Sequence, residues 1–257
     1  MIALQSRCHF FNTGDPLKFS YIIFLFLSMI ASSFSQIKNQ SSHNFQKEVK
    51  VLLSANYLLY LPKDYQDGDK LFPLVLFLHG IGERGTDIEK VKTHGIPKLI
   101  NEGKEFHFIV VSPQCPDNVF WNTDVLSALI DEIESHYRVD KNRIYVTGLS
   151  MGGNGTWSLA LAEPHRFAAI APVCGWSHPV EFCKIAHIPI WIFHGAKDNV
   201  VPLNFSEQIV QQSKACGGAN LKFTIYPEAN HDAWTETYDN EELYKWFLEH
   251  SLDKTNK

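Results

Sequence analysis

The sequence predicts an α/β fold in which a mostly parallel sheet carries helices on both faces. Strand-like and helix-like segments alternate from residue 49 onward, and this alternation is typical of sheets built from strand–helix–strand units. The segment Pro73–His79 is apolar almost throughout and ends at a glycine, as expected of a strand buried on both faces. The length of 257 residues suits one such domain with a substantial core.

The predicted elements follow in chain order. Val49–Leu61 is predicted to form one or two strands that Pro62 closes. The later strands are predicted at Pro73–His79, Phe108–Val111, Arg143–Thr147, Phe167–Val173, Ile188–His194 and Leu221–Tyr226. Helical periodicity or composition predicts helices at Val125–Tyr137, Ser150–Leu161, Phe205–Ala215 and Glu241–His250.

The N-terminal region differs from the rest of the chain. Phe19–Ile37 carries no charge, and its apolar centre, Tyr21–Ala31, spans about eleven residues, which is short for a helix crossing ~30 Å of hydrocarbon. Arg7 and Lys18 precede this run, and small residues precede Gln36. This pattern favours a secretory signal peptide cleaved before Gln36 over an uncleaved anchor.

Three segments are therefore expected. Residues 1–35 form the signal peptide, residues 36–48 a polar linker, and residues 49–257 a single domain. The mature protein is expected to be secreted or periplasmic, with no stable membrane span after the leader is removed. The full chain has a formal charge of −5 and no basic run, so we expect no nucleic-acid partner. The oligomeric state stays open.

Four cysteines remain after the leader, namely Cys115, Cys174, Cys183 and Cys216. They allow three fully paired connectivities, among which sequence does not choose. Cys174 and Cys183 are close enough in the chain to bridge a surface loop, or these two are small buried side chains. No Cys-x-x-Cys pair occurs and the histidines lack zinc-ligand spacing, so no metal site is expected.

The segment Gly148–Gly152 matches Gly-x-Ser-x-Gly, with Ser150 at its centre. A predicted strand enters the motif and a predicted helix leaves it, which is the setting that holds a nucleophilic serine on a sharp turn. The small flanking residues let strand and helix approach closely. The alternative is an ordinary strand-to-helix turn with a helix-capping serine.

A serine hydroxyl needs a base to accept its proton, and in this architecture an acid and then a histidine follow later strands. Asp198 follows the strand Ile188–His194, and His231 follows the strand Leu221–Tyr226. We therefore predict Ser150 as nucleophile, His231 as base and Asp198 as the acid that orients it. Alternatively, Asp198 caps a helix near Pro202 and His231 is a surface residue.

Other titratable residues fit these roles less well. His79 and His194 each end a strand before a glycine and suit an orienting role, while Glu228 and Asp232 lie too close to His231 in sequence. The N–H of Met151, directly after the nucleophile, is predicted to face the developing oxyanion. A second donor is expected from the loop that follows the strand Pro73–His79.

Gly80-x-Gly82-x-x-Gly85 in that loop formally matches a dinucleotide-binding pattern. No carboxylate follows Phe108–Val111 to hold a ribose, and no helix opens directly after the glycines. A nucleotide site is therefore not expected, and no cofactor is predicted.

Together these motifs resemble the phospholipase/carboxylesterase and dienelactone-hydrolase-like branch of the α/β-hydrolases. They also resemble secreted bacterial esterases related to prolyl oligopeptidases and polyhydroxybutyrate depolymerases. The similarity covers roughly residues 50–250 and rests on Leu78-His79-Gly80-Ile81-Gly82, Gly148-Leu149-Ser150-Met151-Gly152-Gly153, His194-Gly195-Ala196-Lys197-Asp198 and Asn230-His231. It implies a single α/β-hydrolase domain, ester hydrolysis without a cofactor, and Ile81 as the second oxyanion donor.

Substrate access is expected to be open, because the short segment between Cys174 and Ile188 leaves room for only a minimal cap. Trp121, Trp176 and Trp234 fall in loops near the predicted site and could line it. The expected substrate is a small-molecule or polysaccharide-linked ester, for example a feruloyl or acetyl ester. The alternatives are a serine peptidase of the prolyl-oligopeptidase type and a non-catalytic binding protein with this fold.

Overall fold

The computed structural model describes residues 41–218 and 220–252 of the protein. The chain divides into two compact units, Met1–Val51 and Leu52–Lys257. In the first unit, residues 41–51 are exposed and have no regular secondary structure. The predicted signal peptide, residues 1–35, lies outside the described residues, as does the start of the predicted linker.

The described part of the second unit forms a seven-stranded sheet. Its strands, in chain order, are β1 (Tyr57–Tyr60), β2 (Phe72–Leu78), β3 (Ile109–Pro113), β4 (Val139–Leu149), β5 (Ala169–Val173), β6 (Ile190–Gly195) and β7 (Leu221–Tyr226). Their order in the sheet is β1-β3-β2-β4-β5-β6-β7. Only the β1–β3 pair is antiparallel, so the predicted mostly parallel sheet is confirmed.

Six α-helices connect or follow these strands within the described residues. They are α1 (Gly95–Asn101), α2 (Thr123–His136), α3 (Met151–Ala162), α4 (Asn204–Ala215), α5 (Trp234–Asp239) and α6 (Glu241–Glu249). Short 3-10 helices occupy Lys63–Gln66, Ile81–Glu83, Ile88–Thr93 and Pro179–Ile185. The last of these is the whole structured insert between β5 and β6, in line with a minimal cap.

The core lies on both faces of the sheet, because successive side chains of a strand point to opposite faces. Leu74 and Leu76 of β2 are fully buried in one cluster with side chains of α2, α3 and α4. Val75 and Phe77 are fully buried in the other, with side chains of α1, α5 and α6. This arrangement explains why β2 is apolar throughout instead of alternating.

The first strand is shorter than the sequence suggests. We predicted strand structure across Val49–Leu61, but pairing with β3 covers only Tyr57–Tyr60. The apolar residues before it are exposed, Leu52 by 92%, so hydrophobicity alone misleads where no neighbouring strand provides a partner.

Among the described residues, no helix combines the length and apolar character needed to cross a membrane.

One disulfide bond joins Cys183, in the insert between β5 and β6, to Cys216 at the end of α4. Cys115 and Cys174 are free and buried. The Cys174–Cys183 bridge considered from the sequence is therefore wrong. Cys174 directly follows β5 and is fully enclosed, whereas Cys183 lies on the surface against α4.

The parallel strands bring four loops to one edge of the sheet. Leu78 at the end of β2 pairs with Gly148 near the end of β4, and Gly195 at the end of β6 pairs with Tyr226 at the end of β7. The loops that follow these strands therefore leave the sheet on the same side.

Candidate active site

Ser150 occupies the turn between β4 and α3, where the strand gives way to the helix within one residue. Its backbone has φ 52° and ψ −114°, a region that residues with side chains rarely adopt. Its N–H donates to the carbonyl of Val173 at 2.9 Å. This turn holds the side chain above the sheet, where Ser150 is 9% exposed.

The glycines around the serine are required by close backbone contacts. A Cβ on Gly152 would lie 1.9 Å from the carbonyl oxygen of Leu78, and a Cβ on Gly148 would lie 2.5 Å from the carbonyl oxygen of Gly152. Any larger residue would push α3 away from β2. The close approach predicted from the motif is thus present, and it sets the height of Ser150 over the sheet.

Ser150, His231 and Asp198 form a continuous row of hydrogen bonds. Nε2 of His231 lies 2.8 Å from Oγ of Ser150, and Nδ1 of His231 lies 2.8 Å from Oδ2 of Asp198. An ionised carboxylate only accepts hydrogen bonds, so Nδ1 of His231 carries the proton and donates to Asp198. Nε2 is then left to accept the proton of the serine hydroxyl. The structure brings together the three side chains predicted from the sequence, in the predicted order.

Asp198 is held from several directions. Its Oδ1 accepts the backbone N–H groups of Val200 and Val201, each at 2.9 Å, and it is 8% exposed. These contacts fix the carboxylate and leave Oδ2 pointing at His231. Asp198 is not the cap of a helix near Pro202, which was the alternative considered from the sequence, because α4 begins at Asn204.

His194 supports the loop that carries Asp198. Its Nε2 donates to the carbonyl of Val201 at 2.8 Å and lies 3.3 Å from Oδ2 of Asp198, while its Nδ1 accepts from Oγ of Ser206 at 2.8 Å. Burial lowers the pKa of His194, which keeps the imidazole neutral at pH 7. This is the orienting position expected for His194.

The two carboxylates near His231 in sequence have other partners. Glu228 pairs with Lys197. Asp232 accepts from the backbone N–H and the hydroxyl of Thr235, each at 3.1 Å. Nδ1 of His231 faces Asp198 instead, in agreement with the sequence argument against Glu228 and Asp232.

Two backbone N–H groups lie at the starts of helices beside Ser150. Met151 is the first residue of α3, and Ile81 is the first residue of the 3-10 helix Ile81–Glu83. The first N–H groups of a helix lack acceptors within that helix, so both are available to an external oxygen. Ile81, Met151 and Ser150 line one pocket, as the predicted pair of oxyanion donors requires.

The loop after β2 is held by the segment that follows β3. Nε2 of His79 accepts the N–H of Cys115 at 2.9 Å, and Nδ1 of His79 donates to the carbonyl of Gly80 at 2.6 Å. Gln114 donates to the carbonyl of Glu83 at 2.9 Å. Burial lowers the pKa of His79 to about 4, so this imidazole stays neutral and keeps its two hydrogen bonds.

The pocket beside Ser150 has a volume of about 360 Å³. It is lined by Ile81, Phe120, Ser150, Met151, Trp176, Val200, Val201 and Phe205. No charged side chain lines it. The rings of Phe120 and Trp176 meet edge to face, with centroids 6.3 Å apart at 88°, so two aromatic walls bound the space next to the hydroxyl.

The three tryptophans proposed from the sequence have different positions. Trp176 lines the pocket. Trp121 lies behind the loop after β2, where its indole N–H donates to the carbonyl of His79 at 3.2 Å, and Trp234 packs against the ring of His231 at 5.2 Å. Neither Trp121 nor Trp234 lines the pocket, so their prediction as substrate-lining residues is corrected to a supporting position.

Sequence reasoning missed the pocket residues Phe120, Val200, Val201 and Phe205. Phe205 is the second residue of α4, a few residues after Asp198, and Phe120 follows β3 in a loop without a recognisable motif. Only the general rule that loops after parallel strands surround the site could have indicated them.

Cys174 lies beneath the hydrogen-bonded row. Its sulfur, a carboxylate oxygen of Asp198 and a ring nitrogen of His231 lie within 4.8 Å of one another, a set of atoms able to hold a metal ion. Burial raises the pKa of the Cys174 thiol, which keeps it protonated, and Asp198 and His231 are hydrogen-bonded to each other. The arrangement suits proton transfer better than metal ligation.

The comparisons with known proteins agree with this geometry. Residues 112–244 match the phospholipase/carboxylesterase family. A bifunctional acetylxylan esterase/xylanase of Neocallimastix patriciarum is 30% identical over 143 residues, covering 52% of this chain and 20% of that protein. A probable feruloyl esterase C of Aspergillus terreus is 25% identical over 176 residues, covering 64% of each chain.

Among solved structures, a thermostable esterase is 35% identical with a TM-score of 0.64, covering 76% of this chain and 59% of that one. The chain thus spans between 20% and 64% of the length of these three relatives. The matched family region contains Ser150, Asp198 and His231, and the described sheet has the corresponding α/β architecture. The chain therefore belongs to the phospholipase/carboxylesterase family of α/β-hydrolases.

Proposed function

We propose that the protein is a serine esterase that cleaves carboxylic esters through an acyl-enzyme on Ser150. The observation that carries the proposal is the hydrogen-bonded row from Ser150 through His231 to Asp198, with both distances at 2.8 Å. A serine so placed can pass its proton to the imidazole as its oxygen attacks a carbonyl carbon.

In the first half of the reaction, Oγ of Ser150 attacks the ester carbonyl while Nε2 of His231 accepts the hydroxyl proton. The negative charge on the carbonyl oxygen is stabilised by the N–H groups of Ile81 and Met151. Asp198 stabilises the imidazolium through Nδ1. His231 then returns the proton to the leaving alcohol as the C–O bond breaks, which leaves the acyl group on Ser150.

In the second half, His231 takes a proton from water as the water oxygen attacks the acyl-enzyme. The same two N–H groups stabilise the second tetrahedral intermediate. Collapse returns the proton to Oγ of Ser150 and releases the carboxylic acid. Over both halves, one ester and one water are consumed, and one alcohol and one carboxylic acid are released.

For the substrate, we propose an ester whose acyl group is uncharged. The pocket beside Ser150 is lined by apolar side chains and two aromatic walls, and a charged acyl group would lose its hydration there without gaining a counter-ion. Similarity to an acetylxylan esterase and a feruloyl esterase supports acetyl or feruloyl esters of plant polysaccharide as candidates.

We also propose that residues 1–35 direct export and are removed. The uncharged stretch Phe19–Ile37 supports this proposal, as does the Cys183–Cys216 disulfide, because disulfides persist mainly in oxidising compartments. Expression of the full chain in a secreting host should yield a protein whose N-terminal sequence begins at Gln36. An exported protein that keeps Met1, or retention of all protein inside the cell, would exclude cleavage.

The test of function begins with labelling by a fluorophosphonate probe, which reacts with activated serines. Wild-type protein should be labelled on Ser150, and peptide mapping locates the label. Turnover is then compared on nitrophenyl, acetyl-xylan and feruloyl esters and on a peptide amide. Folded protein that neither reacts with the probe nor hydrolyses any ester would exclude the esterase, and cleavage of the peptide alone would favour a peptidase.

A further inference from the structure

Arg84 lies between the two loops that build the proposed oxyanion hole and acyl pocket. Its Nε donates to the carbonyl of Ile81 at 3.2 Å, and its Nη1 donates to the carbonyl of Val119 at 3.1 Å. Ile81 belongs to the loop after β2, and Val119 lies 35 residues after Arg84 along the chain. One guanidinium therefore joins two segments that are distant in sequence.

The first contact controls the proposed oxyanion donor. The carbonyl of Ile81 belongs to the peptide unit directly after the one that carries the Ile81 N–H. Because peptide units are planar, fixing this carbonyl limits rotation around the Ile81 Cα and so limits the direction of the preceding N–H. A donor to an oxyanion is effective only when it is fixed in advance.

The second contact controls an aromatic wall of the pocket. The carbonyl of Val119 belongs to the peptide unit that ends at the nitrogen of Phe120. The Phe120 side chain is 57% exposed, and its ring meets that of Trp176 edge to face across the pocket. Packing alone therefore holds this ring weakly, and the position of its backbone decides where the wall stands.

We infer that Arg84 is a positioning residue that couples the oxyanion loop to the acyl-binding wall. It sets the rate of turnover through Ile81 and the acyl preference through Phe120. The planar fork of arginine can serve both carbonyls at fixed directions, whereas the single ammonium of lysine cannot. This inference rests on the proposed esterase function, since it assigns Arg84 a role in that same site.

The experiment compares Arg84→Met, Arg84→Lys and Phe120→Ala with wild type on 4-nitrophenyl acetate and 4-nitrophenyl 3-phenylpropanoate, which differ only in the acyl group. Active sites are counted with the fluorophosphonate probe. In Arg84→Met we expect kcat on acetate to fall by about 10- to 100-fold, part of the 10²- to 10³-fold effect of losing a donor. The kcat/KM preference for the aromatic ester should fall about 10-fold, as in Phe120→Ala.

Two further variants separate positioning from general destabilisation. In the double variant Arg84→Met/Phe120→Ala, the preference should fall no further than in Phe120→Ala alone, because both changes act on the same wall. Arg143→Met is the matched control, since Arg143 pairs with Asp140 in the first half of β4, away from Ser150. It should keep the wild-type preference. Arg84→Lys should lie between wild type and Arg84→Met.

The decisive negative result has two parts: wild-type protein hydrolyses both esters, and Arg84→Met keeps the wild-type kcat and acyl preference per active site. That result would overturn the inference and leave the esterase proposal standing. Independent effects of Arg84→Met and Phe120→Ala on preference would also overturn it. If Arg84→Met does not fold, Arg84→Lys decides by the same two readouts. Wild-type protein without probe labelling or ester turnover would instead contradict the proposed function.

Discussion

His231 contacts its two neighbours through opposite ring nitrogens, so its tautomer decides what Ser150 can do. With the proton on Nδ1 facing Asp198, Nε2 can accept from the hydroxyl of Ser150. In the proposed mechanism, replacing Ser150 or Asp198 affects the whole hydrogen-bonded row, because the three groups act as one unit.

Replacing Ser150 or His231 by alanine should each abolish nearly all turnover. Loss of a triad member leaves a residual rate on the order of 10³- to 10⁴-fold above water from the remaining groups. Ester hydrolysis measured per folded molecule tests this, with circular dichroism to show that the fold is retained. Activity comparable to wild type in either variant would contradict the assignment.

The sequence was sufficient to predict that Ser150, Asp198 and His231 lie together, because each follows a recognisable strand in the expected order. It was not sufficient for Phe120 or Phe205, which contribute to the pocket only through how their loops lie in space. Trp121 and Trp234 illustrate the opposite case, because both were predicted near the site but neither lines the pocket. An indole near the site in sequence can support a loop instead of facing the pocket.

At the scale of secondary-structure elements, the long apolar strands and amphipathic helices were predictable because their periodicity extends over many residues. Helix α5 has only six residues and α1 contains Gly95 and Pro97, so neither shows a helical pattern that stands out. The start of β1 was unpredictable for another reason. The apolar residues before Tyr57 are exposed, and only the partner strand limits the pairing.

The insert between β5 and β6 and the end of α4 depend on their disulfide. Cys183 and Cys216 are 33 residues apart in sequence, a separation for which loop entropy predicts about 3–4 kcal/mol of stabilisation. The double variant Cys183→Ser/Cys216→Ser should therefore unfold at lower urea concentration than wild type. Dithiothreitol should lower the wild-type midpoint in the same way and leave that of the double variant unchanged. Equal midpoints in oxidised and reduced wild type would contradict a stabilising bond.

At the scale of the whole molecule, buried neutral histidines link stability to pH. Burial lowers the pKa of His79 from 6.5 to about 4, and burial also lowers the pKa of His194. Below pH 6.5 the unfolded chain binds protons that the folded protein does not, so protons favour unfolding. The stability that these two neutral histidines contribute is complete above about pH 6.5. It is lost as the pH decreases towards 4.

For His79 alone, the free energy of unfolding should decrease by about 2 kcal/mol between pH 7 and pH 5. Urea denaturation at the two pH values measures the difference. The variant His79→Gln should be less stable at pH 7, because it loses hydrogen bonds in the loop after β2, yet its stability should depend less on pH. A wild-type protein equally stable at both pH values would show that His79 is protonated in the folded state.

The backbone of Ser150, with φ 52° and ψ −114°, means that the protein gives up thermodynamic stability at the residue proposed as its nucleophile. Strain of this kind costs on the order of 1–3 kcal/mol, while glycine in place of a residue with a side chain ordinarily costs about 0.5–1 kcal/mol through chain entropy. Ser150→Gly should therefore melt at or above the temperature of Ser150→Ala, the reverse of the usual ranking of these two residues. A clearly lower melting temperature for the glycine variant would mean that the turn is relaxed, and that selection for activity has not opposed selection for stability there.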